Sequence, residues 1–365
     1  MSDRLETVTI TIGGNVWPYW SDFAGRAAAE EASREASFTA HVPESGGISP
    51  AWVGMEATVH FKGELWLTGT VRDFAPSHGG GDDPQRSVDV GLISKTADGV
   101  ESSVDHPTGE ARDVDLKQLG ETFDDLGIGW ESSAQSVKQP VERIITGESQ
   151  WDIVERRARA MGAFIHDTPE GKFHIADKPE GTHAGALAIG VNISGSEDAS
   201  AQFTETGRHD EVQVVGQSTI GTTTPSFRSV GSQKDGGIKR RRPRKVVLEG
   251  EATPERLKKR ADTEARRAAG NGTTANIPVV GWRDEAGKLW TPNWLVGIDD
   301  EKLWLKGLMV IKSAEYSQKT AGDPEGTKAT LELADPRALG GEDPKGESAA
   351  AYAPKVTIPT FRVDE

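Results

Sequence analysis

The sequence predicts a mainly β chain with an α+β insert: two related β-rich domains flanking a small α/β domain. Three observations point there. The stretch Leu65-Trp66-Leu67-Thr68-Gly69 recurs as Leu303-Trp304-Leu305-Lys306-Gly307. Each copy follows an apolar run and a short polar turn (residues 59–64 and 296–302) and precedes another apolar run (Thr70-Val71, and residues 308–311). That pattern reads as one β-hairpin written twice, and hence as two related units. The composition agrees: 35% hydrophobic, with 42 Gly and 19 Pro among 365 residues, it suits many short strands with turns rather than long helices. Finally, apolar spacing switches from alternation to a helical period after Asp113.

Residues 1–105 form the first β domain. Val8-Thr9-Ile10-Thr11-Ile12 alternates like a strand with one buried face, and Gly13-Gly14-Asn15 turns it. The next stretch is aromatic (Trp17, Tyr19, Trp20, Phe23), with Pro18 limiting it to an edge or a bend. Residues 27–36 favour a helix by propensity, but alternation resumes at Ser37. A short helix or irregular turn feeding a strand that ends at Pro43 is therefore expected. The first Leu-Trp-Leu hairpin follows, then a glycine-rich acidic loop (77–85) and a returning strand (87–92). About six strands suffice for a small barrel.

Residues 106–185 form the small α/β domain. Leu116, Leu119, Phe123 and Leu126 fall at helical spacing, with Gly127 as a natural stop. A second helix is capped by Ser149, with Asp152 completing a capping box. Trp151, Val154, Ala158 and Met161 make its apolar stripe, and Gly162 ends it. A hairpin follows, residues 163–166 and 172–175 around Thr168-Pro169-Glu170-Gly171.

Residues 186–339 form the second β domain, with an inserted helix. Strands are expected over 211–216, 245–248, 277–282, 294–298, 303–305, 308–316 and 329–333, and residues 217–237 read as a long flexible loop. Thr253-Pro254 opens the helix, with cap and proline in their favoured places; it carries Leu257, Ala261, Ala265 and Ala268. Residues 340–365 are a Gly/Ala/Pro-rich C-terminal tail, whose part 356–361 either adds to another subunit's surface or stays unordered.

Composition excludes several classes. There are no cysteines, hence no disulfides and no thiolate metal sites. A net charge of −15 opposes non-specific binding to nucleic acid or anionic membrane. The first residues are polar, without a signal-peptide core, and no stretch approaches the ~20 apolar residues of a membrane span. A soluble protein without stable membrane insertion is expected, made in the cytosol or exported by a route that needs no cleaved signal.

No enzyme is expected either. The sequence has no HExxH, no Gly-x-Ser-x-Gly elbow and no P-loop, so no catalytic residue, metal ligand or cofactor site is assigned. His166 and His174 lie on facing strands, but two histidines do not make a site and no third ligand is placed with them. The pairs Asp124-Asp125 and Asp299-Asp300 read as solvated turns. The basic run Lys239, Arg240, Arg241, Arg242, Arg244 and Lys245, interrupted by Pro243, opposes the overall sign of the chain. It is the candidate partner or intersubunit contact; a solvated loop and a nucleic-acid contact are the alternatives. The ten tryptophans mostly sit in predicted strands, where core packing is expected rather than an exposed sugar platform.

The order of the parts carries a resemblance. Its elements are the opening strand 8–12, Val53-Gly54-Met55, Leu67-Thr68-Gly69-Thr70-Val71 and Gly91-Leu92-Ile93-Ser94-Lys95-Thr96-Ala97-Asp98. The central Glu148-Ser149-Gln150-Trp151-Asp152-Ile153 follows, through Gly162-Ala163-Phe164 to Gly171-Lys172-Phe173-His174-Ile175. Trp290-Thr291-Pro292-Asn293 and residues 326–333 close the series. Over about residues 7–339 this resembles the baseplate hub protein of Mu-like contractile-tailed phages and, more distantly, late-control D proteins and the N-terminal half of type VI secretion spikes. Gly99 departs from the family's usual apolar residue. The resemblance implies a structural homotrimer in which each chain supplies two tube-protein-like β-barrel domains. Three chains then present six barrels and adapt a hexameric tail tube to a trimeric central spike. The implied partners are the tail tube protein, the spike and other baseplate proteins. DNA would pass the channel without specific binding. The implied location is the virion tail baseplate, assembled in the bacterial cytoplasm. A tail-associated protein that binds or hydrolyses peptidoglycan is the alternative. On the preferred reading, Leu65 to Gly69 and Leu303 to Gly307 superpose as equivalent strands.

Overall fold

The structure, a computed structural model, describes residues 6–41, 48–79, 86–195, 197–216, 229–248, 252–319 and 326–343. The expected mobile loop 77–85 and tail 340–365 therefore fall largely outside the described residues.

The first β unit comprises β1 (Val8–Ile12), β2 (Asn15–Trp17), β3 (Trp20–Ala28), β4 (Glu35–His41), β5 (Glu56–Phe61), β6 (Glu64–His78) and β7 (Arg86–Ser94). A middle unit follows: α1 (Thr96–Glu101), β8 (Glu110–Val114), α2 (Leu116–Thr122), β9 (Trp130–Ser132), β10 (Gln139–Arg143), α3 (Gln150–Met161), β11 (Phe164–Asp167) and β12 (Phe173–Ala176). The remainder is β13 (Gly181–Ala188), β14 (Ser200–Phe203), β15 (Glu211–Gly216), β16 (Ser229–Lys234), β17 (Pro243–Val247), α4 (Pro254–Gly270), β18 (Thr273–Val280), β19 (Trp294–Asp300), β20 (Leu305–Gln318) and β21 (Thr327–Ala334). The chain is mainly β, as expected.

The two β units are not separate bodies. One ladder runs β14-β18-β21-β20-β3-β4-β7-β6-β5-β1-β2, with β19 added beside β20 and β13 beside β19. The seam is β3 on β20, antiparallel from Ala28 opposite Ser313 to Phe23 opposite Gln318. Among the described residues this ladder stays open and does not close into a barrel. One core lies behind it. Phe23, Phe61 and Trp66 of the first unit meet Trp282 and Tyr316 of the second, with Phe61 stacked on Trp66 at 4.9 Å and 4.4 Å from Trp282. Each such pair adds about 0.5–1.5 kcal/mol beyond the area it buries. Trp304 is the only exposed tryptophan of the ten, so core packing holds for the rest.

The duplicated hairpin is present in topology but not in the register that the letters suggest. In both units a hairpin (β5–β6, β19–β20) extends into a long second strand whose far half pairs with a third strand (β7, β21). Each long strand carries a bulge there, at Arg72 and at Lys312. Aligned on that bulge, Leu67 corresponds to Gly307 and Gly69 to Met309, so the repeated letters are two residues out of step. The turns explain the slip. Lys62-Gly63, both at positive φ, closes the first hairpin tightly, whereas Glu301–Leu303 forms a 3-10 turn ending on Trp304 in the left-handed region. Trp66 is then 3% exposed in the core, while Trp304 stands 78% exposed in the turn. The expected superposition of residues 65–69 on 303–307 fails for this reason.

Two further expectations are settled. Of the two readings of residues 27–36, a short helix or an irregular turn, the turn holds: β3 runs to Ala28, Ala29 donates to the carbonyl of Lys312 at 2.8 Å, and the chain turns before β4. Ala27, Ala29 and Ala36 are small because the sheet buries them, which overrides their helix propensity. The stretch 217–237 is not wholly loop, since β16 occupies Ser229–Lys234; residues 217–228 lie outside the described residues. β15, β16 and β17 form their own sheet, on which α4 lays Leu257, Ala261 and Ala265. Gly231 permits that packing, because a Cβ there would meet the Leu257 backbone at 2.4 Å.

The middle unit has its own core around Phe123, Trp130, Ile153 and Phe173. The Ser149–Asp152 capping box and the left-handed Gly162 bound α3 as the sequence predicted. One side chain ties this unit to the sheet. Arg34, buried in the turn before β4, donates to the Asp167 carboxylate (2.8 Å), the Asp167 carbonyl (3.1 Å) and the Trp66 carbonyl (2.6 Å). Its guanidinium also sits over the Trp66 ring, 5.6 Å from its centroid.

Two predictions follow from these contacts. Trp66→Ala is expected to cost about 3–5 kcal/mol, whereas Trp304→Ala changes stability by less than about 0.5 kcal/mol; denaturant unfolding of both variants measures the contrast. Arg34→Ala strands a buried carboxylate and is expected to cost about 3–5 kcal/mol. Arg34→Lys should recover little, since an ammonium does not reproduce the three directed bonds.

Candidate assembly interface

The β3–β20 seam has a counterpart that is left open. On one edge, β20 carries β19 along its first half and β3 along Ser313 to Gln318; β21 takes the other edge. β6 is built alike, with β5 along its first half and β7 on the opposite edge. The stretch Asp73 to His78, which corresponds to the part of β20 covered by β3, has no strand on that edge among the described residues. Its residues are exposed apart from half-buried Phe74, and Pro76 is a usual edge-strand residue. β14 matches β3 in turn. Each borders the strand (β18, β4) that lies in the ladder on the far side of the third strand of its unit, and the outer edge of β14 is unpaired among the described residues. An open strand edge offers a row of backbone donors and acceptors to another chain.

The basic run lies on the loop before β17 and on β17 itself. Much of its charge meets acids of its own chain. Arg240 pairs with Glu205, Arg241 with Asp210 and Glu211 (both 3.1 Å), and Arg244 with Glu264 (3.7 Å). Arg242 uses its backbone N–H on Asp210 (2.6 Å) and its guanidinium on the Glu205 carbonyl (2.9 Å). Lys239 donates to the Gly236 carbonyl (2.8 Å), and Lys245 is exposed. The hydrogen bond from Arg241 holds the Glu211 carboxyl below its ordinary value. Arg240 and Arg241 nevertheless remain about two-thirds exposed, at 61% and 65%.

The adjacent acids do not converge on a common point. Asp124 accepts the backbone N–H of Ile128 (2.9 Å) and Gly129 (2.7 Å), and Asp125 that of Asp105 (2.9 Å). Asp300 accepts from Lys302 and Leu303, both at 3.0 Å, while Asp299 faces Lys306 at 3.8 Å. These are turn-forming roles. The open groove over β3, β4 and β7 is lined by Arg26, Glu315, Arg72 and Glu101, which pair among themselves. No helix among the described residues is long and apolar enough to cross a membrane.

His166 and His174 do face each other, as Cα partners in the β11–β12 ladder. What spacing along the chain did not reveal is Glu180, six residues beyond His174, folding back to within 2.6 Å of its Nε2. Burial opposes ionisation of Glu180, but hydrogen bonds from His174 and Ser133 outweigh it and hold the carboxyl at about 2. Burial pushes the His166 imidazole below its ordinary value.

Comparison with known proteins identifies relatives of the whole chain. A family model described as the fourth domain of the Mu phage baseplate assembly protein GpP matches residues 253–342. The baseplate hub protein gp44 of Escherichia phage Mu is 23% identical over 337 residues, covering 90% of this chain and 87% of that protein. The 43 kDa tail protein of prophage MuSo2 from Shewanella oneidensis has a TM-score of 0.76 at 26% identity, covering 91% of this chain and 98% of that one. A tail protein of Neisseria meningitidis has the same fold, with a TM-score of 0.74 at 17% identity over 92% of this chain and 99% of its own. These relatives are structural tail and baseplate proteins, not enzymes. The resemblance read from the order of motifs thus stands: along nine-tenths of its length the chain is similar to the baseplate hub protein of a Mu-type phage.

Proposed function

We propose that this chain is the structural hub of a contractile-tail baseplate. In this reading it is a homotrimer that matches a hexameric tail tube to a trimeric central spike and encloses the DNA channel. The observation that carries the reading is the pair of open edges on β14 and on Asp73 to His78 of β6. They occupy the topological places of the two strands that form the β3–β20 seam. A second copy whose β6 edge meets β14 would repeat that seam between chains. Three copies would then alternate three internal seams with three external ones, giving six similar faces around one axis. Closure into barrels, which one chain lacks among its described residues, would come from assembly. The division at residues 105, 185 and 339 belongs to the same proposal, with the middle unit and the α4 sheet hung outside the ring.

The net charge of −15 supports a lumen to which DNA does not adhere. Tail tube protein, spike protein and other baseplate proteins are the partners of this reading, in a virion assembled in the host cytoplasm. The exposed Arg240 and Arg241, with Lys239, Arg242, Arg244 and Lys245, are proposed as a contact for one of those partners or for the next subunit.

Light scattering of the purified chain is expected to give a trimer mass; a monomer at high concentration would sink the proposal. The chain has no cysteine, so Ala75→Cys with Gln202→Cys, the pair equivalent to Glu315 and Arg26 of the internal seam, makes a clean probe of the proposed seam. Oxidation should link chains up to trimers and no further. Arg240→Gln with Arg241→Gln should leave unfolding unchanged but weaken association, and added salt should weaken wild type in the same direction.

A further inference from the structure

We propose that His166, His174 and Glu180 bind one first-row divalent transition-metal ion of the zinc class. That ion would fasten the β11–β12 hairpin to the segment entering β13. The site does not depend on the assembly proposed above.

The geometry is specific. One ligand atom from each of the three residues lies within 4.8 Å of the other two. Zinc bonded to nitrogen and oxygen at about 2.0–2.1 Å in a tetrahedron holds its ligand atoms ~3.3 Å apart. The three ligand atoms already lie near that spacing, and they would supply three of the four tetrahedral positions. The two imidazoles are placed by the ladder, which sets His166 opposite His174 with ring centroids 5.1 Å apart. Glu180 is placed by its backbone N–H, which donates to the Asn293 carbonyl at 3.0 Å.

His166 supplies the observation that points to a ligand. Its Nδ1 lies 2.9 Å from the Asp167 carbonyl, which can only accept, so Nδ1 carries the proton. The neutral ring then bears its lone pair on Nε2. That atom is buried and has no hydrogen-bond partner among the described residues. A buried polar atom without a partner costs about 1–3 kcal/mol, and a backbone carbonyl on the far ring nitrogen is the usual way a ligating histidine is oriented. Asp167 is itself held by Arg34, so the orienting carbonyl is rigid. Two imidazoles with one carboxylate suit zinc, cobalt or nickel rather than magnesium or calcium. The Glu180 side is partly open to solvent, which leaves room for water as a fourth ligand.

The test uses the full chain, freed of metal by chelator and titrated with zinc chloride by calorimetry. One ion per chain is expected, together with a higher unfolding temperature. Cobalt chloride should give the visible absorption of a tetrahedral site. Glu180→Gln keeps shape, and His174→Gln removes a ring from the partly exposed side. Each should weaken zinc by more than the roughly 10–100-fold typical of losing only an outer partner. The temperature shift and the cobalt spectrum should vanish with it, while circular dichroism stays unchanged. Absence of binding by wild type overturns the proposal. So does equal binding by wild type and the two folded variants, which would place the ion elsewhere.

Discussion

The backbone ladder between β3 and β20 is the constraint on which the rest of the molecule depends. It joins residues 23–28 to residues 313–318, near opposite ends of the chain, and makes one sheet of two units. Because the ladder fixes the side-chain faces, Phe23 and Tyr316 point into the same interior, where they meet Phe61, Trp66 and Trp282. Between β7 and β13, and again between β14 and β18, the chain must then leave the sheet and return to it. The middle unit and the α4 sheet are therefore appendages with cores of their own. Such long-range pairing carries an entropic cost of loop closure, and the dense aromatic core offsets part of that cost.

Arg34 is the second joint. A guanidinium suits this position because it presents directed donors to a carboxylate and two carbonyls at once, while its flat face lies on Trp66. The same arginine fixes Asp167, and Asp167 in turn fixes the tautomer of His166. Sheet, middle unit and histidine pair are thus mechanically continuous. The many surface ion pairs, including those around the basic run, contribute much less per pair, because water screens them.

A local signal was sufficient for α3, α4 and the β11–β12 hairpin; α1 went unread, and α2 ends at Thr122, short of the expected Leu126 and Gly127. Ser149 with Asp152, and Thr253 with Pro254, are caps whose physics is complete within four residues. Turn chemistry and alternation likewise placed most of the strands, and the facing of His166 and His174 followed from the turn between them. The repeated Leu-Trp-Leu motif misled in one respect. It marked a true repeat of topology, but letters do not encode turn length, and a different turn moved Trp304 from core to solvent. Residues 27–36 left a helix and a turn both open for a related reason, since a run of alanines is compatible with a helix and also with a tightly packed sheet.

By itself, then, the sequence determined the mainly β class, the capped helices, the hairpin of the middle unit, the absence of thiol chemistry and the order of parts shared with phage tail proteins. These rest on local propensity, composition and periodicity, which act over a few residues. Only the tertiary structure decided that the two β units share one sheet and one core, that two strand edges stay open among the described residues, and that Arg34 bridges the units. It alone brought Glu180 beside the histidine pair and set acids against the basic run. Each of these depends on the pairing of segments distant in the chain, and backbone hydrogen bonds, common to every residue type, leave no mark of their partner in the sequence.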